Sequence, residues 1–215
     1  MVLAEGKRTR DLLAILQGRH DAGQGALVSR PNARQRRAIG AWARTLGVSL
    51  EATSDGRLIR VPGSLGARSE GGCVALVTAG TADVPVAEEA ELVLHAMGVP
   101  TFSAHDVGVA GLHRLLSAVR TLERHRPMVY LAFAGREGAL PTVLAGLVRA
   151  PVVGVPTSTG YGRGGRGEGA LTAMLQSCAP VAVVNVDGGV PAALFALQLL
   201  AGASRAASGR GPRLF

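Results

Sequence analysis

Short apolar, β-branched runs alternate with segments of helical periodicity over most of the chain. Such runs are typical of strands buried on both faces, and strands that alternate with helices predict a parallel sheet covered by helices. The five predicted strands are Cys73–Thr78, a weaker one at Thr101–Phe102, Met128–Ala134, Val152–Val155 and Val181–Val186. The helices that follow them are Val86–Met97, Gly108–Arg124, Leu140–Val148, Ala170–Ser177 and Ala192–Leu200. The pattern therefore predicts an α/β fold.

The first 66 residues show a different pattern. Thr9–Arg19 and Asn32–Leu46 have the periodicity of amphipathic helices, and an asparagine is placed to cap the second of them. Between these helices, Ala26–Ser29 is apolar enough for a short strand. Glu51–Val61 alternates around a Ser-Asp-Gly turn, which predicts a hairpin. We therefore expect a small α+β region here.

Composition marks the boundaries of this region and of the sheet domain. The segment Pro62–Gly72 is rich in Pro, Gly and Ser, as linkers are, and the last thirteen residues are rich in Ser, Arg and Gly. We expect three parts: a small N-terminal α+β region at 1–66, a parallel-sheet domain at 67–202 and a disordered tail at 203–215.

The chain has 215 residues and a formal net charge of +8, which raises the question of nucleic-acid binding. Aromatic residues make up only 3% of the chain, so few rings are available to stack on bases. The basic residues also do not follow one helix of the predicted core. A protein that handles anionic nucleotides is the simpler explanation of the charge. We therefore expect a small-molecule nucleotide as partner and no nucleic acid.

Cysteine content and apolar segments bear on the compartment. The two cysteines have the spacing of neither a disulfide framework nor a zinc site. The first residues lack the apolar core of a signal peptide, and no apolar run is expected to be long enough to cross a bilayer. These features predict a cytoplasmic protein with reduced thiols and no membrane association.

Small and polar residues follow each predicted strand of the sheet. In a parallel sheet these carboxyl ends meet at one edge, where ligands bind. The turn Ala79–Asp83 precedes a helix, so its backbone N–H groups can bind a phosphate or carboxylate, and Asp83 could hold a ribose hydroxyl. An ordinary corner with a solvated Asp83 is the alternative. The other four loops are His105-Asp106, Gly135–Glu137, Thr157–Tyr161 and Asn185–Gly188.

Two residues are candidates for chemistry. Glu137 follows a strand and lies between glycines that let a ligand approach closely, while its carboxylate has little to pack against. Cys178 follows a predicted helix, and a small buried residue is the alternative interpretation. A helix C-terminus raises the pKa of a thiol, so a reactive thiolate at Cys178 requires a cation nearby.

Two further segments could bind an anionic ligand. His113 and Arg114 lie on one predicted helix and either contact a ligand or pair within the protein. The loop Thr157–Gly162, followed by Arg163 and Arg166, is typical of an anion-binding loop that leads into a helix. A mobile surface loop is the alternative for that segment.

Several blocks in the sheet domain resemble a known family. They are T-A-G-T-A-D-V-P-V-A-E-E-A, D-V-G-V-A-G-L-H-R-L-L, A-G-R-E-G-A-L-P, V-P-T-S-T-G-Y-G and L-Q-S-C-A-P-V-A-V-V-N-V-D-G-G, in that order. Together they are similar to the signature blocks of the LarB family of nickel-pincer cofactor biosynthesis enzymes. The similarity spans roughly Gly71–Leu200. That family is related to the PurE phosphoribosylaminoimidazole carboxylases, so the resemblance implies a PurE-like (flavodoxin-like) three-layer domain.

Two positions distinguish the LarB from the PurE pattern. The purine enzymes carry a catalytic histidine where this chain has Ala139, and Gln-Met-Pro where it has Gln176-Ser177-Cys178. The resemblance therefore places Glu137 and Cys178 in the active-site loops. Two departures from the LarB pattern are Ala82, where the family usually has serine, and Arg136, where it commonly has an apolar residue.

The resemblance implies a reaction. The substrate would be nicotinic acid adenine dinucleotide, carboxylated at ring carbon 5 and then hydrolysed at its phosphoanhydride to pyridinium-3,5-biscarboxylic acid mononucleotide and AMP. Cys178 would be the nucleophile and Glu137 the general base. The expected substrate-binding residues are Gly80, Thr81, Asp83, Asp106, His113, Arg114, Gly138, Ser158, Tyr161, Gly162, Asn185 and Asp187.

The same resemblance sets expectations for cofactors and assembly. We expect no tightly bound cofactor and no metal ligands, with carbon dioxide or bicarbonate as co-substrate and magnesium left open for the hydrolysis. The PurE relatives form homo-octamers, and the predicted helix Ala192–Leu200 is apolar on almost every side, as an interface helix would be. A PurE-type carboxylase or mutase acting on aminoimidazole ribonucleotide is the alternative function. A non-catalytic nucleotide-binding or RNA-binding protein is a more distant one.

Overall fold

The computed structural model describes residues 1–65 and 71–207. By its internal contacts the chain divides into two units, Met1–Ala67 and Arg68–Phe215. Each unit has its own sheet and its own group of helices, so each is described by itself.

The first unit is a four-stranded sheet with two helices. Its elements are β1 (Val2–Leu3), α1 (Thr9–Asp21), β2 (Ala26–Ser29), α2 (Ala33–Thr45), β3 (Glu51–Ala52) and β4 (Leu58–Val61). The strand order is β1-β2-β4-β3, with β1 parallel to β2 and the other pairs antiparallel. Both predicted helices, the strand β2 and the β3–β4 hairpin are confirmed. The strand β1 was not predicted, because two residues carry no periodicity.

The start of α2 is fixed by a reciprocal cap. The side chain of Asn32 accepts the backbone N–H of Gln35 at 2.9 Å, and the side chain of Gln35 accepts the backbone N–H of Asn32 at 2.8 Å. Gln35 is buried, and its amide also donates to the carbonyl oxygen of Ala4 at 2.9 Å. The cap therefore also ties the segment after β1 to α2, which explains why a polar residue is tolerated in this core.

The second unit is a doubly wound α/β domain. Its elements are β5 (Val74–Thr78), α3 (Val84–Ala96), β6 (Thr101–Ala104), α4 (Leu112–Leu122), β7 (Val129–Ala134), α5 (Ala139–Leu147), β8 (Val152–Pro156), α6 (Glu168–Leu175), β9 (Val181–Val183) and α7 (Gly189–Ala207). All neighbouring strands are parallel, in the order β6-β5-β7-β8-β9. This order is that of flavodoxin-like folds, so the predicted PurE-like, parallel-sheet fold is confirmed.

The helices cover both faces of this sheet. α4, α5 and α6 pack on one face, where Leu115, Leu140 and Met174 meet inward residues of β5 and β7. α3 and α7 pack against each other and against the other face. The three central strands β5, β7 and β8 are buried at every position, which is why they read as continuous apolar runs and not as alternating ones.

Several predicted boundaries require correction. β9 ends at Val183 and not at Val186, and β6 continues to Ala104. α7 begins at Gly189 and runs to Ala207, so the tail predicted to be disordered from residue 203 begins with a helical segment. Alanines such as Ala203 and Ala206 have the highest helix propensity, which outweighs the Ser/Gly content that suggested disorder. The remainder of the predicted tail, 208–215, lies outside the described residues.

The length of α7 also corrects an expectation about membranes. Among the described helices, α7 contains one 18-residue window, Gly189–Ala206, that is long and apolar enough to cross a bilayer by length and composition. A third of this window is buried within the chain. Ala193, Ala196 and Leu200 are fully buried in the domain core. The apolar composition of α7 is therefore accounted for in part by its packing against α3.

Two buried polar groups, the thiol of Cys73 and the hydroxyl of Tyr130, lie near the amino ends of β5 and β7. The thiol of Cys73 is 3.2 Å from the carbonyl oxygen of His125, and burial raises the pKa of that thiol. The hydroxyl of the fully buried Tyr130 donates to Glu123 at 2.6 Å. Burial first, and then the hydrogen bond and negative charge of Glu123, raise the pKa of Tyr130. Both groups therefore stay neutral and act in packing.

We expect iodoacetamide to modify Cys178 in the native protein and to leave Cys73 unmodified. Cys178 is exposed, whereas Cys73 is buried and its raised pKa keeps the thiolate scarce. Mass spectrometry of the digested protein checks this. Labelling of the native protein should disappear in Cys178→Ser, and unfolding in urea should allow Cys73 to be labelled. Rapid native labelling of Cys73 would contradict the packing described above.

Candidate active site

The loops at the carboxyl edge of the large sheet surround a cavity. Its volume is about 540 Å³, enough for a nucleotide-sized ligand. The cavity is lined by Ala79, Gly80, Ala82, Asp83, Gly108, Val109, Ala110, Ala134, Gly135, Arg136, Glu137, Gly138, Thr159, Gly160 and Tyr161. These residues come from the loops after β5, β6, β7 and β8. The topology therefore places the cavity where ligands bind in open parallel sheets.

Asp83 holds two of these loops together. Its side chain is 4% exposed and lies in a short 3₁₀ turn before α3. One carboxylate oxygen accepts the backbone N–H of Gly80 at 2.9 Å, and the other accepts the hydroxyls of Thr157 at 2.5 Å and Thr159 at 2.8 Å. The carboxylate predicted to hold a ribose hydroxyl is thus occupied by three donors of the protein. In this arrangement Asp83 positions the loops after β5 and β8.

Two glycines fix the loop after β7. A side chain at Gly135 would collide with the hydroxyls of Thr157 and Thr159. Gly138 has a φ of +66°, in the left-handed region, and a side chain there would collide with the backbone of Ala170. Both glycines are buried, whereas the two residues between them are exposed. The loop therefore has one well-defined path and presents two long charged side chains to the cavity.

Those two side chains are Arg136 and Glu137. The Glu137 carboxylate lines the cavity and, among the described residues, has no hydrogen bond or ion pair. The guanidinium carbon of Arg136 lies 4.2 Å from the ring centroid of Tyr161, which follows β8. A carboxylate without a protein partner at the wall of a cavity is free to take a proton from a ligand.

Five of the predicted site residues line the cavity: Gly80, Asp83, Glu137, Gly138 and Tyr161. The other predicted binding residues lie around it or beyond it. Thr81 lies between two lining residues, and Gly162 is next to Tyr161. His113 is exposed on α4, and the side chain of Asn185 accepts the backbone N–H of the following residue at 2.8 Å.

Four predicted binding residues form two separate pairs within the protein. The Asp106 carboxylate accepts from the Arg114 guanidinium at 2.6 Å, and about half of each side chain is exposed. The Asp187 carboxylate accepts both the backbone N–H of Ser158 at 2.8 Å and its hydroxyl at 2.7 Å. Asp106 and Asp187 both have a φ near +55°, a conformation that aspartate tolerates better than most residues. Their contacts fix the loops after β6, β8 and β9.

Cys178 does not line the cavity of its own chain. It follows α6, which begins at the cavity edge of the sheet and runs antiparallel to the strands. The hydroxyl of Ser177 accepts from the hydroxyl of Thr142, in the first turn of α5, at 2.9 Å. Cys178 is exposed beside this contact. Of the two residues predicted for chemistry, Glu137 thus lines this cavity and Cys178 is not among its lining residues.

Other lining residues were not among the predicted site residues. Gly108, Val109 and Ala110 follow β6, and Gly108 approaches the backbone of Ala79 so closely that a side chain there would collide. The repeated small residues in this segment were the available signal for a close approach. Arg136 stood out only as a departure from the family pattern. In the part of the chain that the structure describes, no three His, Cys, Asp or Glu side chains come together as a metal site.

Comparison with known proteins identifies what the large domain is similar to. The model of the AIR carboxylase family matches residues 73–210. An uncharacterised protein of Methanocaldococcus jannaschii is 49% identical over 126 residues, which are 58% of this chain and 48% of that protein. The N5-carboxyaminoimidazole ribonucleotide mutases of Pyrococcus abyssi and M. jannaschii are 35% and 32% identical, over 59% and 60% of this chain and 72% and 78% of their own lengths. The chain thus spans about half of the first relative.

We expect Asp83→Ala to lower the free energy of unfolding of the large domain by about 1–3 kcal/mol, because it leaves buried donors of two loops without an acceptor. Denaturation in urea, followed by circular dichroism, measures the change. The matched control is Arg114→Met, which removes a carboxylate contact of similar length at an exposed site and should cost less than about 1 kcal/mol. An Asp83→Ala effect no larger than that of the control would show that the network does not hold the loops.

Proposed function

Because the chain belongs to the AIR carboxylase family, we propose that it carboxylates a ring of a nucleotide, and that this nucleotide is nicotinic acid adenine dinucleotide. The family is one of carboxylases and mutases, which supports an enzymatic role. The proposed products are pyridinium-3,5-biscarboxylic acid mononucleotide and AMP. The choice of nicotinic acid adenine dinucleotide as the substrate is supported by the residues of the cavity and by their resemblance to the LarB pattern.

The observation that carries the proposal is the carboxylate of Glu137. It lines the cavity at the carboxyl edge of the sheet, on a loop fixed by Gly135 and Gly138, and no described residue pairs with it. A base in this position can accept a ring proton without first breaking a salt bridge. Ala139 follows, where the purine enzymes carry their histidine, so proton transfer in this loop falls to Glu137.

The proposed chemistry overcomes the low electron density of a pyridinium ring. Addition of the Cys178 thiolate at ring carbon 4 forms a C–S bond and converts the ring to a neutral dihydropyridine, in which carbon 5 is nucleophilic. Carbon 5 then forms a C–C bond with carbon dioxide. Glu137 takes the proton from carbon 5, the C–S bond breaks, and the thiolate leaves as the aromatic pyridinium returns. Water then cleaves the phosphoanhydride.

This mechanism requires Cys178 and Glu137 to meet, and Cys178 is not among the residues that line the cavity of its own chain. We therefore propose that the thiol is supplied by a neighbouring copy in a homo-oligomer, for which an octamer is the expected form. The solvent face of α7 supports self-association: Leu194 is 43% exposed and Phe195 is 38% exposed. An enzyme assembled in this way has each cavity completed by another copy.

The second candidate is an N5-carboxyaminoimidazole ribonucleotide mutase. The observation that favours it is the 35% identity to the P. abyssi protein of that name, over more than half of this chain. A carboxylated imidazole nucleotide would use the same cavity and the same family fold. Against it stands Ala139, which cannot replace a catalytic histidine.

We expect the protein to transfer label from bicarbonate into nicotinic acid adenine dinucleotide and not into aminoimidazole ribonucleotide. Chromatography with scintillation counting separates and measures the two products. Glu137→Gln should lower the rate by ~10²–10⁴-fold, because ring carbon 5 then has no proton acceptor. Label that enters the imidazole nucleotide alone would select the mutase or carboxylase alternative.

We expect an inactive Cys178→Ala variant and an inactive Glu137→Gln variant to regain activity when they are mixed. In a random mixture about one cavity in four would combine an intact Glu137 from one copy with an intact Cys178 from another, by the symmetry of such assemblies. The two variants should be mildly dissociated, mixed and allowed to reassemble, and light scattering should confirm that the oligomer has re-formed. If both residues acted within one chain, every subunit would carry one defect and the mixture would stay inactive.

A further inference from the structure

The guanidinium of Arg136 occupies an unusual position at the cavity. Its central carbon lies 4.2 Å from the centroid of the Tyr161 ring, within the range of a cation–π interaction. Tyr161 is 77% exposed, so its ring is not held by the core. Both residues line the cavity, one from the loop after β7 and one from the loop after β8. The pair therefore connects two loops across the cavity wall.

Arg136 is also the basic residue of this wall. Among the described lining residues it is the one arginine, and there is no lysine or histidine. No described carboxylate pairs with it, although Glu137 is its neighbour in the chain. At the same edge of the sheet, Arg114 behaves differently, since Asp106 accepts its hydrogen bond at 2.6 Å. Arg136 thus keeps its N–H donors without an oxygen partner in the described structure.

A guanidinium whose N–H donors have no oxygen partner can bind an anionic ligand. Its planar N–H donors match the two oxygens of a carboxylate or of a phosphate, and stacking on a ring holds it in place without using an oxygen acceptor. The other charged groups of the wall are Glu137 and Asp83, and the Asp83 carboxylate already accepts three protein donors. Without Arg136, the charged side chains of the described cavity wall would all be negative, facing a substrate that is itself negative.

We infer that Arg136 is a specificity-determining residue that binds an anionic group of the substrate, and that Tyr161 is the positioning residue that holds its guanidinium. The inference rests on the proposed nucleotide site, and not on which ring that nucleotide carries. The anionic group is either a ring carboxylate or a phosphate. Both present the same planar pair of oxygens to the guanidinium, and different ligands distinguish them.

The test is the binding of three ligands to full-length wild type and to Arg136→Leu, measured by titration calorimetry without turnover. The ligands are nicotinic acid adenine dinucleotide, its amide analogue NAD and carboxyaminoimidazole ribonucleotide. Loss of a charge-assisted contact should raise Kd by roughly 10- to 100-fold for the natural ligand. Arg120→Leu, on the exposed face of α4, is the matched control and should leave Kd unchanged.

The pattern across ligands identifies the group that Arg136 binds. A loss confined to the acid dinucleotide assigns the ring carboxylate, and an equal loss for acid and amide assigns the phosphoanhydride. If wild type binds only the imidazole nucleotide, the proposed function is wrong, and the role of Arg136 is decided by the effect of Arg136→Leu on that ligand. Unchanged affinity for every ligand that wild type binds, or no binding of any of them by wild type, overturns the inference.

The role of Tyr161 is tested by a double-mutant cycle. Tyr161→Leu should raise Kd by roughly 2- to 5-fold, as expected for an exposed cation–π contact, while Tyr161→Phe keeps the ring and should change it little. In the Arg136→Leu background, Tyr161→Leu should have no further effect, because there is no guanidinium left to position. Additive effects of the two substitutions would show that Tyr161 acts independently, and would overturn its positioning role.

Discussion

The carboxylate of Asp83 is the contact on which the geometry of the cavity depends. A buried carboxylate is costly unless donors satisfy it, and here a backbone N–H and two threonine hydroxyls do so. Because Thr157 and Thr159 are drawn toward Asp83, their hydroxyls fill the space beside residue 135, which leaves room only for glycine. The path of the loop that carries Glu137 is therefore set by an interaction between the loops after β5 and β8, the two strands that neighbour β7.

Much of this architecture could be predicted from local pattern. The runs that became β5, β7 and β8 are apolar at every position because helices cover both faces of the sheet. The rule that sites lie at the carboxyl ends of parallel strands then located the loops around the cavity, and Glu137 with them. The partners of Asp83 could not be found in this way, since they lie 74 and 76 residues further along the chain. Contacts of that kind depend on tertiary packing, which periodicity does not report.

The position of Cys178 shows a second limit of local reasoning. A crossover helix runs antiparallel to the strands it connects, so the residues at its end lie away from the edge where it began. α6 follows this rule, and the thiol beyond it is exposed beside α5 and outside the cavity of its own chain. Family resemblance relates positions in a sequence, but it does not say whether two of them meet within one chain or between copies. The proposed reaction and the proposed assembly are for this reason a single hypothesis.

The loop between β7 and α5 has an evolutionary consequence. Gly135 and Gly138 determine the backbone, and the two exposed positions between them do not pack against the core. A mutation at residue 136 can therefore change the charge that a ligand meets without disturbing the fold or the adjacent acid. On the inference that Arg136 binds the substrate, single codon changes at that position would alter substrate range, which makes it a natural starting point for laboratory selection of new activities.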